Sequence, residues 1–258
     1  MLYFFSGTGN SKQVAQKLAA ILNTQAIDIC HTAAALEALK NENEAVGWVF
    51  PVYAWGIPKV VDEFIKKLPT INAQPYTYAV MTCGDDVGYA DCILKHALQA
   101  KGWQLHAAFS VQMRNTYVCL PGFDIDSAEV ESKKTTAAHK QIEQIADFIK
   151  NKSATTKLTR GSMAWLKTYV LRPAFNALLT TDRHFRVNTD LCTGCGLCAK
   201  QCPLGNMELD HTQHPRWKGH CTGCLRCYHI CPKHAIEYGK FTRKKGQVKI
   251  NVKFCLLK

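Results

Sequence analysis

The first half of the chain alternates short apolar runs with segments of helical periodicity. Residues 2–5 read Leu-Tyr-Phe-Phe and residues 45–50 read Ala-Val-Gly-Trp-Val-Phe, as is typical of strands buried on both faces of a parallel sheet. Between them Val14, Leu18 and Ile21 recur at helical spacing, which indicates an amphipathic helix. The same reasoning predicts strands at 2–5, 25–29, 45–50, 76–82 and 103–110, and helices through 14–22 and at 32–40, 58–68, 88–101 and 126–150. Five strand–helix units predict an α/β fold with a doubly wound, five-stranded parallel sheet.

The turn that follows the first strand is rich in glycine and hydroxyl groups. It consists of Ser6, Gly7, Thr8, Gly9, Asn10 and Ser11. A strand, a loop of this kind and a helix form a phosphate cradle, because amides at the helix N-terminus and small hydroxyls point at one anion. The loop is neither Gly-x-Gly-x-x-Gly nor a P-loop, since no Gly-Lys-Ser/Thr ends it. The alternative is a helix N-cap that binds no ligand.

The loop at residues 6–11 resembles the Ser/Thr-x-Thr-Gly-Asn-Thr/Ser loop with which flavodoxins hold the phosphate of FMN. This resemblance implies the strand order 2-1-3-4-5, with the flavin at the switch point beyond strands 1 and 3. It also implies two more flavin loops, after strands 3 and 4. The candidate FMN-binding residues there are Pro51, Tyr53, Ala54, Trp55 and Gly56 in the second loop, and Cys83, Gly84, Asp85, Gly88 and Tyr89 in the third.

A flavin ring needs a flat apolar slot, backbone groups along its polar edge and a flexible peptide near N5. Tyr53 or Trp55 is expected to stack on the ring, Gly56 to supply the mobile peptide, and residues 84–88 to line the pyrimidine edge. Each aromatic side chain has core packing as its alternative. The third loop departs from short-chain flavodoxins, where it is strongly acidic, because only Asp85 and Asp86 occur here.

The second half of the chain contains a cysteine motif twice. Residues 192–203 read CTGCGLCAKQCP and residues 221–232 read CTGCLRCYHICP. Each is Cys-x-x-Cys-x-x-Cys-x-x-x-Cys-Pro. Zinc sites and disulfides are the alternatives, but zinc sites usually use paired Cys-x-x-Cys rather than a triple run with a fourth cysteine and proline.

This repeated motif resembles that of bacterial-type ferredoxins, which bind two 4Fe-4S clusters. Three closely spaced thiolates wrap three corners of a cubane, and Gly194, Gly196 and Gly223 let the backbone approach it. In this family the fourth cysteine of each run crosses to the other cluster. The resemblance therefore implies one metal site made of Cys192, Cys195, Cys198 and Cys231, and another made of Cys221, Cys224, Cys227 and Cys202.

Length and composition indicate two domains. The chain has 258 residues, of which 47% are hydrophobic, enough for a proper core. We predict an FMN-binding domain at 1–151, a basic amphipathic linker at 152–184 and a ferredoxin domain with a basic tail at 185–258. Five cysteines outside the motifs are expected to be small buried residues: Cys30, Cys83, Cys92, Cys119 and Cys255. A start directly in a strand, and no apolar run of about 20 residues, predict a cytoplasmic protein.

Charge is unevenly distributed along the chain. The formal net charge is +12; residues 1–151 hold 13 Lys and Arg against 15 Asp and Glu, whereas residues 152–258 hold 19 against 5. A basic surface favours an acidic protein partner, an anionic membrane or nucleic acid. The alternative is a solvated surface that also compensates the negative clusters.

Three further segments carry predictions. Apolar residues around Trp165 and Tyr169 predict two short helices, broken at Pro173, that pack between the domains or touch a membrane surface. The tail from Lys240 predicts a strand or hairpin that extends the ferredoxin sheet. The long connection at 113–122 is either a surface loop or a cover for the flavin or the clusters. Its candidate residues are Arg114, Asn115 and Tyr117, while His211, His214, His220, His229 and His234 are assigned to surface or packing.

Together the two resemblances predict a flavodoxin–ferredoxin fusion. Such a protein transfers electrons between clusters, flavin and an external redox protein, since clusters pass single electrons and a flavin stores one or two. The basic surface predicts that this partner is acidic. One alternative is an FMN-dependent reductase of a small molecule, with Tyr53, Tyr89 or Tyr117 as candidate proton donors. The other is a nucleic-acid-binding module with structural metal. No nicotinamide-binding fingerprint is visible, so direct oxidation of NADH or NADPH is not expected.

Overall fold

The computed structural model describes residues 1–39, 44–69 and 75–250. The chain divides into two compact units. The first consists of Met1–Arg114 and Ala128–Ala174, and the second of Asn115–Ser127 and the chain from Phe175 onward. The segment predicted as a linker, 152–184, therefore contributes to both units. The predicted bounds 1–151 and 185–258 stay predictions for the parts that fold on their own.

The first unit is built on a parallel sheet. Its strands are β1 Leu2–Phe4, β2 Ala26–Asp28, β3 Ala45–Pro51, β4 Tyr76–Cys83, β5 Ala107–Gln112 and β6 Thr156–Lys157. Their order is β2-β1-β3-β4-β5-β6, and every neighbouring pair is parallel. The flavodoxin-like sheet is confirmed, with its switch point between β1 and β3. The predicted count of five is one strand short, because β6 has two exposed polar residues and no apolar run to reveal it.

Helices cover both faces of this sheet. They are α1 Asn10–Ile21, α2 Thr32–Leu39, α3 Lys59–Lys66, α4 Ala90–Gln99 and α5 Ala128–Lys150. Leu2 and Phe4 share a buried cluster with Leu18 of α1 and Ile142 of α5. Tyr3 points to the opposite face, where its ring lies 6.3 Å from that of Phe64 in α3. Successive side chains of a strand alternate between faces, so a strand covered on both sides is apolar throughout.

The strand predicted at 103–110 begins only at Ala107. Trp103 precedes it as a buried anchor that donates its indole N–H to the carbonyl of Pro69 at 3.1 Å. An apolar anchor just before a strand has the same sequence signature as a strand residue, which explains the error. Lys40, the last residue of the helix predicted at 32–40, lies outside the described residues.

The second unit combines short antiparallel strands with short helices. Its elements are β7 Phe185–Val187, α7 Leu197–Lys200, β8 Met207–Leu209, β9 Pro215–Trp217, α8 Arg226–Ile230 and β10 Ile236–Tyr238. Strand β7 pairs with β10, and β8 pairs with β9. Each helix carries the third cysteine of one motif, Cys198 in α7 and Cys227 in α8. Both helices end before the proline of their motif, as expected for a residue that cannot continue a helix.

The predicted pair of helices near Pro173 is one continuous helical run. Residues Leu166–Leu171 form a π-helix that passes directly into α6, Arg172–Leu178. The chain therefore changes helix type next to the proline instead of breaking.

The prediction of a strand or hairpin from Lys240 is wrong for residues 240–250, which contain no strand. Side chains hold this segment instead. The hydroxyl of Tyr228 lies 3.0–3.3 Å from the carbonyls of Thr242, Lys245 and Gly246, and the Tyr228 carbonyl accepts from Gln247. Backbone groups used in this way are not available to a ladder. The remaining alternating positions of the prediction, Val252, Lys253 and Phe254, lie outside the described residues.

Candidate functional site

The glycine–hydroxyl loop joins β1 to the N-terminus of α1, as predicted. The amide of Gly9 donates to the hydroxyl of Ser6 at 3.2 Å. The hydroxyl of Ser11 lies 2.7 Å from that of Thr82, which ties the loop to the carboxyl end of β4. Gly9 has φ 111°, and a Cβ placed on it would meet no atom within 4 Å. The residue is therefore glycine for its backbone conformation, and the space above it is open.

The side-chain oxygen of Asn10 is a buried hydrogen-bond acceptor to which no group in the described residues donates. Its side-chain NH₂ donates to the carbonyl of Arg114 at 2.9 Å, while its Oδ1 is buried without a hydrogen-bond partner. Buried polar atoms in native proteins are normally paired. A ligand hydroxyl beside the loop would supply the missing donor. An open anion cradle with an unsatisfied acceptor next to it fits a phosphorylated, hydroxylated group such as FMN.

The second predicted flavin loop is a tight turn. The backbones of Tyr53 and Gly56 exchange both hydrogen bonds, at 3.0 and 3.1 Å, and the two residues between them, Ala54 and Trp55, have φ values of 46° and 56°. Left-handed backbone costs a residue with a side chain about 1–2 kcal/mol. Strain of this kind clusters at ligand clamps. The ring of Tyr53 meets Phe5 edge-on at 6.4 Å.

The third predicted flavin loop follows β4. Burial raises the pKa of Cys83 to about 12, so this thiol is neutral. Gly88 has φ 54°, and a Cβ on it would lie 2.5 Å from the hydroxyl of Thr168 and 2.8 Å from Cβ of Trp55. The second and third loops therefore meet at Gly88, close to a segment far along the chain. The carbonyl of Asp85 accepts from the side chain of Gln112 at 2.6 Å.

That distant segment, residues 160–172, lies on the second and third loops, and the sequence did not reveal this. We call it the covering segment. Thr168 accepts from the amide of Tyr89 at 3.0 Å and donates to the carbonyl of Trp55 at 3.3 Å. Lys167 pairs with Asp86 at 2.8 Å. The polar side chains of the covering segment point toward these loops, a contact that the periodicity of apolar residues did not predict.

The first three cysteines of the first motif border a cavity. Its lining includes Cys192, Cys195 and Cys198 together with Cys231 of the second motif, and apolar neighbours such as Leu209 and Ile236. Gly194 and Gly196 have φ values of 65° and 69°. The predicted crossing cysteine thus lies with the first motif's triple run. An apolar wall limits water near whatever the thiols hold.

The second motif shows the same grouping through electrostatics. Burial raises the pKa of Cys224 to about 11, and Cys202 adds to this rise. Burial likewise raises the pKa of Cys221 to about 12, with Cys224 and Cys202 among its neighbours. The pKa of Cys227 is raised well above its usual value by burial and then by Cys224, Cys221 and Cys202. Cys202 therefore lies beside the triple run of the second motif.

Backbone amides point at the sulfurs. Cys202 accepts from the amide of Asn206, and Cys231 accepts from the amide of Ala235, both at 3.3 Å and both four residues further along the chain. The amide of Gly223 donates to Cys221, also at 3.3 Å. Hydrogen bonds to thiolate sulfur stabilise negative charge there and tune the potential of an iron–sulfur cluster.

No three His, Cys, Asp or Glu side chains in the described ranges converge closely enough to hold a single metal ion. A cubane spreads its four thiolates over four corners, so cysteines that border a space suit it. Two histidines of the second unit make hydrogen bonds within it. His229 bonds the carbonyl of Thr116 at 2.8 Å and His234 bonds the hydroxyl of Tyr228 at 2.9 Å, as expected for packing roles.

The connection after β5 splits between the two units. In the first unit, Arg114 holds Asn10 and pairs with Glu131 at 2.9 Å. In the second, Tyr117 packs against the core that contains Cys198 and Cys227. Cys83 and Cys119 are buried, as predicted, whereas Cys30 and Cys92 are half-buried and Cys255 lies outside the described residues.

Comparison with known families decides what these two units are. A model of the flavodoxin domain matches residues 1–113, and a model of the 4Fe-4S dicluster domain matches residues 184–232. The chain joins a flavodoxin domain to a 4Fe-4S dicluster domain. The predicted fusion is thereby confirmed. The two domains imply FMN and iron–sulfur clusters as cofactors, and the dicluster match spans all eight motif cysteines.

Curated relatives match parts of the chain. The NAD-dependent dihydropyrimidine dehydrogenase subunit PreA of Escherichia coli K12 is 29% identical over 139 residues, which cover 41% of this chain and 34% of PreA. A component of the ion-translocating oxidoreductase complex of Methanosarcina acetivorans is 39% identical over 46 residues, 18% of this chain and 17% of that component. The chain therefore spans about a third of PreA and less of the Methanosarcina protein.

Among solved structures, a flavodoxin from Streptococcus pneumoniae TIGR4 overlaps 58% of this chain and 97% of its own length, with 16% identity and a TM-score of 0.38. The order of the strands, not this overlap, establishes the fold. In residues 1–39, 44–69 and 75–250, no helix has both the length and the apolar character needed to span a bilayer.

Proposed function

We propose that this chain is an electron-transfer protein that passes electrons between iron–sulfur clusters and FMN and exchanges them with an external redox protein. The observation that carries the proposal is the grouping of the cysteines, because each triple run lies beside the fourth cysteine of the other. Clusters pass one electron at a time and a flavin stores one or two, so together they connect one- and two-electron partners.

We assign two clusters to two cysteine sets. The cavity lined by both motifs supports the first, and the mutual electrostatic influence of the buried thiols supports the second. Amides aimed at Cys202, Cys221 and Cys231 would hold negative charge on the sulfurs. The proposed ligands are Cys192, Cys195, Cys198 and Cys231 for one cluster, and Cys221, Cys224, Cys227 and Cys202 for the other.

We assign the flavin to the three loops of the first unit. The open backbone at Gly9 and the helix N-terminus behind it would hold the phosphate. The unpaired Oδ1 of Asn10 would accept from a ribityl hydroxyl. The second and third loops, which meet at Gly88, would hold the ring. Which of Tyr53 and Trp55 stacks on it stays a prediction.

The external partner is proposed to be acidic. Residues 152–258 carry 19 Lys and Arg against 5 Asp and Glu, and complementary charge raises the rate at which redox proteins meet. Peripheral membrane contact through residues 160–180 is supported by the exposed side chains of Met163 and Trp165. Flotation with anionic liposomes tests this contact, and a protein that stays at the bottom of the gradient would exclude it.

The second candidate, an FMN-dependent reductase of a small molecule, gains support from the dehydrogenase name of the PreA relative. The side chains give this candidate less support. Tyr117 packs in the core of the second unit, and burial raises its pKa far above the usual value, so it is a poor proton donor. Turnover of quinones, nitro compounds or enones far above the rate of free FMN would favour this candidate.

Reconstitution tests the cofactor content. The protein is loaded anaerobically with iron, sulfide and FMN, desalted and analysed for all three. We expect about eight iron atoms, eight sulfides and one FMN for each chain. Four iron atoms would contradict the two-cluster assignment, and absence of FMN would contradict the phosphate-binding role of residues 6–11. Bound zinc without iron would contradict the whole proposal.

A further inference from the structure

The covering segment buries a polar side chain and exposes apolar ones, which is the reverse of an ordinary surface helix. Thr168 is 2% exposed, whereas Trp165 is 62%, Tyr169 43% and Val170 48% exposed. Burial of a polar side chain is favourable only when it finds partners. The partners of Thr168 are backbone groups of the second and third flavin loops. The inner face of the covering segment is therefore specified by those loops.

Three cations belong to this inner face. Arg160 binds both carboxylate oxygens of Asp91 at 2.8 Å and the carbonyl of Gly88 at 3.1 Å. Lys167 binds Asp86 at 2.8 Å and lies 5.6 Å from the centre of the Trp55 ring. Each of these two cations compensates one carboxylate. Lys167 thereby compensates Asp86, one of the two carboxylates of the third loop, and Arg160 compensates Asp91 in the first turn of α4.

Arg172 is the third cation, and no carboxylate compensates it. Its Nη2 donates to the carbonyl of Ile57 at 3.3 Å, and its Nε is buried with no hydrogen-bond partner. In the part of the chain that the structure describes, Arg172 makes no ion pair. Burial lowers its pKa, and the more distant charge of Asp62 opposes this effect. The guanidinium is thus a partly desolvated positive charge.

Gly56 shows how close this charge lies to the second loop. A Cβ built on Gly56 would overlap Nε of Arg172. The guanidinium of Arg172 occupies the space that a side chain at position 56 would fill. The peptide at Gly56 is the one that we expect to face the reactive edge of the flavin. Charge close to that edge tunes the electronics of the cofactor.

We propose that Arg172 sets the reduction potential of the flavin by placing one uncompensated positive charge against the second loop. The proposal rests on the proposed function, because it requires FMN in the three loops. Reduction adds negative charge to the flavin, and a nearby cation in a poorly solvated site stabilises that charge. Arg172 therefore acts as a positioning and electrostatic residue that raises the potential of the FMN couple.

Charge-changing variants of the reconstituted full-length protein test this role. Arg172→Gln removes the charge, Arg172→Lys keeps it, and Lys133→Gln is the control, an exposed cation on α5. The two-electron FMN midpoint is measured by anaerobic spectroelectrochemistry, with cluster signals followed by EPR. We expect Arg172→Gln to shift the oxidised–reduced equilibrium at least tenfold toward oxidised flavin, about 30 mV. Arg172→Lys and Lys133→Gln should stay within threefold of the native protein.

Asp86→Asn is a further variant that leaves Arg172 unchanged and is expected to shift the FMN midpoint in the opposite direction. It releases Lys167 from its carboxylate, so it should shift the equilibrium toward reduced flavin. If Arg172→Gln binds FMN poorly, an unchanged midpoint in Asp86→Asn would overturn the proposal, because charge beside the second and third loops would then not set the potential. Equal midpoints for Arg172→Gln and the native protein would overturn the proposal, and so would equal shifts in the Gln and Lys variants. A native protein without FMN would instead contradict the proposed function.

Discussion

At the scale of single residues, two glycines are fixed by different physics. Gly9 adopts φ 111° in open space, so backbone conformation alone requires glycine there. Gly47 lies in β3, where a Cβ would overlap the ring of Tyr78, so packing requires glycine there. Only the first kind leaves room above the backbone for a ligand. Gly9 is for this reason the sharper marker of the phosphate cradle.

Gly9→Ala should weaken FMN binding more than it weakens the fold. A side chain in this region of backbone costs about 1–2 kcal/mol, which misplaces the cradle or destabilises it. Gly122→Ala is a matched control, because Gly122 has φ 81°, equally open surroundings and a place in the other unit. Fluorescence titration should give an FMN Kd about tenfold higher for Gly9→Ala and unchanged for Gly122→Ala. Equal Kd values would show that residues 6–11 do not bind the phosphate.

The crossing of the fourth cysteines can be tested with double variants. Cys202→Ser together with Cys221→Ser removes two ligands of one proposed site, so about four iron atoms should remain. Cys202→Ser together with Cys192→Ser damages both sites, so little iron should remain. Iron analysis and EPR after anaerobic reconstitution measure both. If each fourth cysteine served its own run, the two results would be exchanged.

At the scale of elements, apolar patterning predicted most of the first unit. Strands β1, β3 and β4 and their helices were found because buried parallel strands are apolar throughout. Strand β6 has only two residues, both exposed, and therefore has no apolar run that would predict it. The same reasoning did not reveal the position of the covering segment, because its buried face is set by hydrogen bonds to loops more than 70 residues away. Periodicity registers hydrophobicity, and here the polar face is the buried one.

The cysteine motifs were predictable because spacing carries their chemistry. The surroundings of these motifs in the fold were not predictable from the sequence. Residues 115–127 belong to the second unit because of contacts such as that of Lys245 with the carbonyl of Val118 at 2.9 Å. These contacts join segments about 125 residues apart. No local pattern encodes a pairing at that distance. The tail was predicted wrongly for the same reason, because Tyr228 holds it.

Thr168→Val tests the buried polar face of the covering segment. The change keeps the shape of the side chain but leaves the amide of Tyr89 without its acceptor. A buried unpaired donor costs about 1–3 kcal/mol. Urea unfolding followed by tryptophan fluorescence should show this loss of stability. Thr135→Val, on the exposed surface of α5, is the control and should change stability by no more than about 0.5 kcal/mol. Equal stabilities of the two variants would contradict the placement of Thr168.

At the scale of the whole molecule, charge separates along the chain. Residues 1–151 have 13 cationic and 15 acidic side chains, while residues 152–258 have 19 and 5. Salt screens surface charges over about 8 Å at physiological ionic strength. Long-range attraction to an acidic protein is therefore expected to depend on salt, whereas encounters with an uncharged molecule are not.

The rate of reduction by an acidic ferredoxin should fall several-fold between about 50 and 500 mM NaCl. The rate with an uncharged viologen should change little over the same range. Stopped-flow absorbance measures both under anaerobic conditions. Equal salt dependence with the two reductants would remove the argument for an acidic partner.

The proposed function requires that the clusters and the flavin of one chain exchange electrons. An anaerobic reductive titration followed by visible absorption and EPR on the same sample tests it most directly. We predict that the chain takes up about four electrons, two on FMN and one on each of two clusters, with flavin and cluster signals in equilibrium throughout. Uptake of two electrons with cluster signals alone would contradict the proposed function and leave a ferredoxin attached to a flavin-free α/β domain.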